Sequence, residues 1–498
     1  MGKNVESGVP TRLRVATLVV LVAMAFSLGV MLYRGAGLRF VSGSWAALAV
    51  DASQGVLYRP LMGPLGYGGT RYMPLHFVLH GISIRAISDA VAGGALITAL
   101  SAAGLLTGVY ALLRARDVPR AWAICGAVLS LGAIASQLAI TTIRGDLLPA
   151  ALNVCGLAVI ARTSRGGATH TAIAALLFAL AFSAKVTTLF GLAACVTFLL
   201  SEKHRTAAVR LAGISVLGIL AMATTIYMAS SGRVLESMSV TGSGGAGLGD
   251  ISLAPIRFAM FACIDLGFLP FFLAASIALA LQWRSARRDL LAHTFTWTLA
   301  ATVFIFGSPG IDFNHLLDLH VIGVVLLIDR MFKGTLSPLT ERMFTASGYI
   351  AALAVLVVSA LAWYAFPVPL NDDRRNAYAL AKDPSGPVFS EDPWVPILGK
   401  EHPFLLDPFN LRIACQRDEA VKADLWKKIE DHYFSGVVIT PIEDPKTKAF
   451  QLDGRWIGKT YYGEIHFPPG FIEHLYQHYK PAGRFHSYLV LKPNNQGV

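Results

Sequence analysis

The chain has 498 residues, of which 54% are hydrophobic and 15% charged, and its mean hydropathy is +0.55. That composition excludes a soluble globular protein and defines a polytopic membrane protein. The net charge of +11 does not mark a nucleic-acid binder, because the Lys and Arg residues lie in short clusters between apolar spans, as topology signals do.

In chain order, a basic head with Lys3, Arg12 and Arg14 precedes a first apolar span at 15–33. No small-residue cleavage site follows it, so the span reads as a retained helix with a cytoplasmic N-terminus. Further spans of bilayer length are predicted at 90–113, 122–143, 147–160, 207–229, 256–281, 291–306, 313–328 and 344–366. The stretch 172–200 carries Lys185 at its midpoint and fits either one long tilted helix or two short helices that turn back. Charge asymmetry favours the hairpin, which gives about eleven spans. It gathers Arg114, Arg116 and Arg120; Arg162 and Arg165; Lys203, Arg205 and Arg210; Arg284, Arg287 and Arg288; and Arg330, Lys333 and Arg342 on the cytoplasmic side. Of five cysteines, Cys125, Cys155, Cys195 and Cys263 fall inside apolar spans and Cys415 outside, so no disulfide or metal spacing is present.

The first loop, 34–80, is polar and punctuated by Gly63, Gly66, Gly68 and Gly69, which suits a structured loop folded over a ligand. Residues 45–50 have helical spacing and lead into Asp51. After residue 366 the composition turns to prolines, charges and aromatics. This divides the chain into an all-α transmembrane domain, 1–366, and a soluble extracytoplasmic α/β domain, 367–498. Short strand-like runs fall at 387–390, 404–406, 436–440 and 487–491, with helical patterns at 418–432 and 471–479. The absence of an Asn-x-Ser/Thr sequon points to a bacterial inner membrane.

Ionisable groups at membrane depth are costly unless they line a wet cavity. Four groups share the outer side: Asp51, Arg59, Arg71 and Tyr72 in the first loop; Arg144 and Asp146 in an Arg-Gly-Asp turn; Lys185 at the hairpin apex; and Asp312, Asn314, His315 and Asp318 at the tenth span. No cofactor is expected. His315 and Asp318, three apart on one helix face, would give a divalent cation only two ligands, and a hydrogen-bonded pair is the plainer reading. Asp265, inside the eighth span, has no partner nearby in sequence.

The order of these parts resembles the GT-C superfamily of membrane glycosyltransferases, in particular the branch of protein mannosyltransferases and lipid A aminoarabinose transferases. The resemblance covers roughly residues 15–366. It rests on Asp51 with Tyr72-Met73-Pro74-Leu75, on Arg144-Gly145-Asp146, on Phe182-Ser183-Ala184-Lys185 and on Asp312-Phe313-Asn314-His315-Leu316-Leu317. One departure stands out: the family places a carboxylate soon after the first helix, and residues 41–44 hold none. The resemblance implies a polyprenyl-phosphate sugar donor, with transfer by single displacement to a lipid, glycan or protein acceptor on the outer face. It implies Asp51 as general base, with Asp146 next. Lys185, Arg71, Tyr72, Arg59, Arg144, Asn314, His315 and Asp318 would bind substrate. The competing classes are a transporter or lipid flippase with an outer binding domain, and a non-enzymatic assembly or sensor protein. The clustering of polar groups at one face disfavours a translocation path.

Overall fold

The computed structural model describes residues 8–38, 40–162, 167–244, 246–283, 287–365, 368–441, 455–456 and 459–494. Lys3, Arg39, Arg165 and Arg284 lie outside the described residues.

Helix α1 (Thr11–Arg34) has 24 residues, about 36 Å at helical rise and enough for a bilayer core. It stops where Gly35 takes the left-handed conformation at φ 64°, and Arg34 then lies 3.6 Å over the ring of Trp363. Helix α2 (Phe40–Ser53) begins five residues ahead of the helical run expected at 45–50, and α3 (Leu75–Ile87) occupies the end of what was read as loop. Helix α2 is largely buried, whereas α3 buries His76, Phe77, His80 and Ser83 and exposes Ile82 and Ile87. Helix α4 (Ala90–Ala115) starts on Asp89, whose carboxylate caps Ala92 N at 2.7 Å.

Two expected spans are not continuous. The third is α5 (Arg120–Leu129) and α6 (Ile134–Thr141), bent by 82°. After α7 (Leu147–Arg162), α8 (Ala168–Ala184), α9 (Phe190–Ser201), α10 (Arg205–Ala229), α11 (Arg233–Thr241) and α12 (Leu248–Ser252) comes the second break. There the expected eighth span is α13 (Ala254–Ile264) and α14 (Leu269–Leu281), bent by 119°. Asp265 explains both breaks. Its carboxylate accepts from Ile134 N at 3.1 Å, Ala135 N at 3.0 Å and Phe268 N at 2.9 Å, so one buried side chain satisfies amides that an interrupted helix exposes.

The break at Lys185 is of the expected kind. Lys185 is extended (φ −160°), and α8 ends there. Ala179 and Ser183 of α8 meet Gly218 and Met222 of α10 in the same order, so these two helices run parallel. Helix α9 enters α10 through the tight turn at 202–204 and therefore runs against both. The remaining membrane helices are α15 (Leu290–Ile305), α16 (Leu317–Phe332) and α17 (Pro338–Ala365). Among the described residues, four helices are long and apolar enough to cross a membrane, or six if each bent pair is one span. The others are shorter and complete an integral membrane protein whose core contains Leu112, Leu129, Phe271, Val324 and Phe344.

Beyond α17 the chain forms α18 (Leu370–Ala381), β3 (Val388–Ser390), α19 (Trp394–Leu398), α20 (Pro408–Arg417), α21 (Glu419–Glu430), β4 (Gly436–Ile439), α22 (Phe471–His478), β5 (Tyr479–Arg484) and β6 (Leu489–Pro493). The strand order is β3-β4-β6-β5, parallel between β3 and β4 and antiparallel elsewhere. β5 was not foreseen, because Pro481 and Gly483 disguise it. Run 404–406 does not join this sheet. It binds the first loop instead, where the small hairpin β1 (Met62–Gly63) and β2 (Gly66–Tyr67) presents Tyr67 N to Phe404 O at 2.8 Å. Gly66 is required there: φ is +97° and a Cβ would lie 1.9 Å from Phe404 O.

Candidate active site

The site is assembled from the ends of four segments. Helix α6 delivers the Arg144-Gly145-Asp146 turn, and Gly145 is obligatory because a Cβ would stand 2.4 Å from the indole of Trp45 on α2. Trp45 in turn stacks on Tyr72 at 4.2 Å between centroids, 23° from parallel. The first loop and the turn are thus locked through one tryptophan.

Asp146 is the centre. Its Oδ1 accepts from Lys185 Nζ at 2.7 Å and from Asn314 Nδ2 at 2.9 Å, while Oδ2 accepts from none of the described residues. Burial raises its pKa, but Lys185 and then Arg144 outweigh that and hold the carboxyl well below the usual range. Arg144 donates from Nη1 to Asp312 Oδ2 at 2.9 Å, and its buried Nε meets no acceptor among the described residues. His315 and Asp318 stand within electrostatic reach of the Lys185–Asp146 pair. Burial pushes the Tyr72 phenol up to about 12, so it stays neutral and able to donate. Arg71 donates to Ser308 Oγ at 3.3 Å, and its guanidinium lies 4.8 Å over Phe409.

The structure therefore brings Asp146, Lys185, Arg144, Asn314, His315, Asp318, Tyr72 and Arg71 to one place. It does not bring Asp51 and Arg59 there. Six residues beyond Trp45, or about 9 Å along α2, Asp51 is gripped by Arg59 through Nε–Oδ2 at 2.8 Å and Nη2–Oδ1 at 2.7 Å. His402 Nε2 also approaches Asp51 Oδ1 at 2.7 Å, and Arg59 Nη1 donates to Leu65 O and Pro403 O. Neither side chain is more than 2% exposed. Both carboxylate oxygens of Asp51 are engaged by Arg59, and the contacts of Arg59 with Pro403 and of His402 with Asp51 tie this pair to the C-terminal segment.

Two residues at this site gave no local signal in the sequence, since they arrive from more than 300 positions beyond Arg71. Asp407 caps α20 at Phe409 N (2.8 Å) and interacts electrostatically with Arg71, and the Arg412 guanidinium also lies 5.0 Å over the Phe409 ring. An Asp followed by Pro is a helix-start signature, and would have located α20 though not its partner.

The chain has a helical membrane body whose loops converge on a cationic, partly buried cluster, with a small mixed sheet beyond it, and its fold is of the GT-C type seen in the following solved structures. It is similar to ArnT from Cupriavidus metallidurans bound to undecaprenyl phosphate, with a TM-score of 0.60, 14% identity, and 97% of this chain and 98% of that one covered. The apo state of the same protein matches with a TM-score of 0.59 and 14% identity over 96% and 97%. The Archaeoglobus fulgidus oligosaccharyltransferase tethered to an acceptor peptide is similar at a TM-score of 0.52 and 12% identity, covering 85% of this chain and 69% of that one. No protein-family model matches the sequence. Comparison with curated protein sequences finds no match either.

Proposed function

We propose that the chain is a membrane glycosyltransferase that moves a sugar from a polyprenyl-phosphate donor to an acceptor by a single inverting displacement. The observation that carries this is the convergence of Lys185, Arg144 and Arg71, from three separate segments, around the buried Asp146 and Tyr72. A leaving polyprenyl phosphate gains charge as the glycosidic bond breaks, and preorganised cations at that position stabilise it. One of the structures of like fold holds undecaprenyl phosphate, which supports a lipid-phosphate donor.

Within this reading Asp146 holds Lys185 in place. The buried Nε–H of Arg144 is a donor ready for a phosphate oxygen. Asp51 has the role of an internal tie. The C-terminal residues 367–498 form the acceptor side, and the loops face the outside of a bacterial inner membrane. The test is to incubate the protein, reconstituted in lipid, with undecaprenyl-phosphate-linked hexoses and pentoses and a membrane lipid extract as acceptor. Release of undecaprenyl phosphate is expected. Binding without release, from every donor offered, would favour a carrier for such lipids.

A further inference from the structure

The C-terminal segment holds a carboxylate–imidazole pair that donor binding leaves without a task. Glu391 follows β3 and is buried. Its Oε1 accepts from His466 Nδ1 at 2.7 Å and Tyr461 OH at 2.7 Å; its Oε2 accepts from Tyr462 OH at 2.6 Å and Thr440 N at 2.8 Å. Burial raises its pKa, but His466 above all, then Thr440 N and Tyr462 OH, outweigh that and hold the carboxyl below its ordinary range. Glu391 is therefore an anion with its acceptor sites filled, unsuited to take a proton from a substrate. What it does is fix the imidazole. With Nδ1–H held by a carboxylate, the lone pair belongs to Nε2, and Nε2 hydrogen-bonds nothing among the described residues.

The ring cannot swing away. Phe40, at the start of α2, meets it edge-on at 4.5 Å between centroids, and Tyr461 lies at 4.7 Å. His466 also interacts electrostatically with Asp407, which in turn interacts with Arg71 and Tyr72. The imidazole thus stands at the C-terminal end of the same series of polar groups that ends at Lys185. A second observation agrees. Residues 41–44 carry no carboxylate, and a Cβ on Gly43 would lie 2.8 Å from Asp392 Oδ1. Asp392, next to Glu391, thus packs against the first turn of α2.

We propose that His466 is the general base of the transfer and that Glu391 is its positioning residue. The proposal rests on the glycosyltransferase reading above. In the step itself, the acceptor hydroxyl gives its proton to His466 Nε2 as its oxygen pair forms the bond to the anomeric carbon. The anomeric carbon–oxygen bond to phosphate breaks, and that pair departs with polyprenyl phosphate toward Lys185 and Arg144. The imidazolium formed is neutralised by Glu391, the arrangement by which a carboxylate supports a histidine base. Among the described residues, the charged and titratable groups around His466 are Glu391 beyond β3, Tyr461 and Tyr462 from the preceding segment, Asp407 at the cap of α20, which also interacts electrostatically with Arg71, and Arg412, which donates to the neighbouring Ile465 carbonyl.

The experiment uses the full chain in lipid, the undecaprenyl-phosphate sugars and lipid extract named above, and undecaprenyl phosphate alone as binding probe. His466→Asn is the informative variant, because its amide still donates to Glu391 while the base nitrogen is gone. It should bind undecaprenyl phosphate like the parent and lose about 10²-fold to 10⁴-fold in turnover, together with the acid limb of the pH–rate profile. Glu391→Gln should retain part of the turnover and move that limb to lower pH, since the imidazolium loses its counter-charge; a merely structural role would change the amount of folded protein and leave the limb in place. If His466→Asn folds, binds the probe, and turns over like the parent with the same pH profile, the base assignment is overturned. If the parent itself binds the probe but releases nothing from any donor, the glycosyltransferase reading fails, and the base assignment with it.

Discussion

The buried Asp51–Arg59 pair offers a direct test of whether Asp51 serves the fold or the reaction. Asp51→Asn keeps the shape of the side chain and removes its charge, leaving the Arg59 guanidinium, 0% exposed, with the carbonyls of Leu65, Pro403 and Phe404 and the nearby His402 ring as its remaining partners among the described residues. An exposed ion pair would be worth about 0–1 kcal/mol, but removing one member of a buried pair strands a charge in a medium of low polarity and costs about 3–5 kcal/mol. Thermal unfolding in detergent should therefore begin several degrees lower in Asp51→Asn, while turnover per folded molecule stays within about threefold of the parent. The double variant Asp51→Leu/Arg59→Met removes both charges and keeps the volume, and replacing a buried pair by apolar groups is often neutral or stabilising. It should recover most of the lost stability and remain active. A normal unfolding temperature with dead enzyme in Asp51→Asn, and a dead double variant, would refute this reasoning and restore Asp51 as the base.

Lys185→Met removes a charge-assisted contact worth about 1.5–3 kcal/mol, so undecaprenyl phosphate should bind about 10-fold to 150-fold more weakly; unchanged affinity would show that Lys185 serves Asp146 alone. Asp265→Ala strips the cap from the amides of Ile134, Ala135 and Phe268 and should cost about 2 kcal/mol or more of stability, read as a lower unfolding temperature; no change would mean that water or other groups satisfy the broken helices. Because Glu391 has a depressed pKa in the fold, it contributes stability that is present above the ordinary glutamic acid pKa and lost as the pH falls through the lower, folded value. The unfolding temperature of the parent should therefore drop on acidification more steeply than that of Glu391→Gln, and equal slopes would refute the assignment. Single cysteines at Ser201 and Ser385, in a cysteine-free background, should react from opposite sides of sealed vesicles; reaction from one side only would break the topology built on the Lys185 hairpin.

Composition and hydropathy were enough to establish a membrane protein, because a bilayer leaves no choice about apolar span length. The hairpin at Lys185 was legible too, since a lone cation amid apolar residues and the arginine clusters admit one consistent arrangement. The convergence of Asp146, Lys185, Arg144 and Asn314 could be read from their shared side of the spans. The sequence could not show the 82° and 119° bends, because Asp265 had no visible partner: the amides of Ile134 and Ala135 that it satisfies lie about 130 positions earlier in the chain. Nor could it distinguish the task of Asp51 from that of Asp146. Both are acidic residues beside arginines in short polar segments, and what separates them is that Arg59 and His402 close on both oxygens of one while Lys185 and Asn314 occupy a single oxygen of the other. His466 was invisible for the same reason: a histidine becomes a candidate base only when the chain folds a carboxylate from 75 residues earlier onto one of its nitrogens and leaves the other without a partner among the described residues.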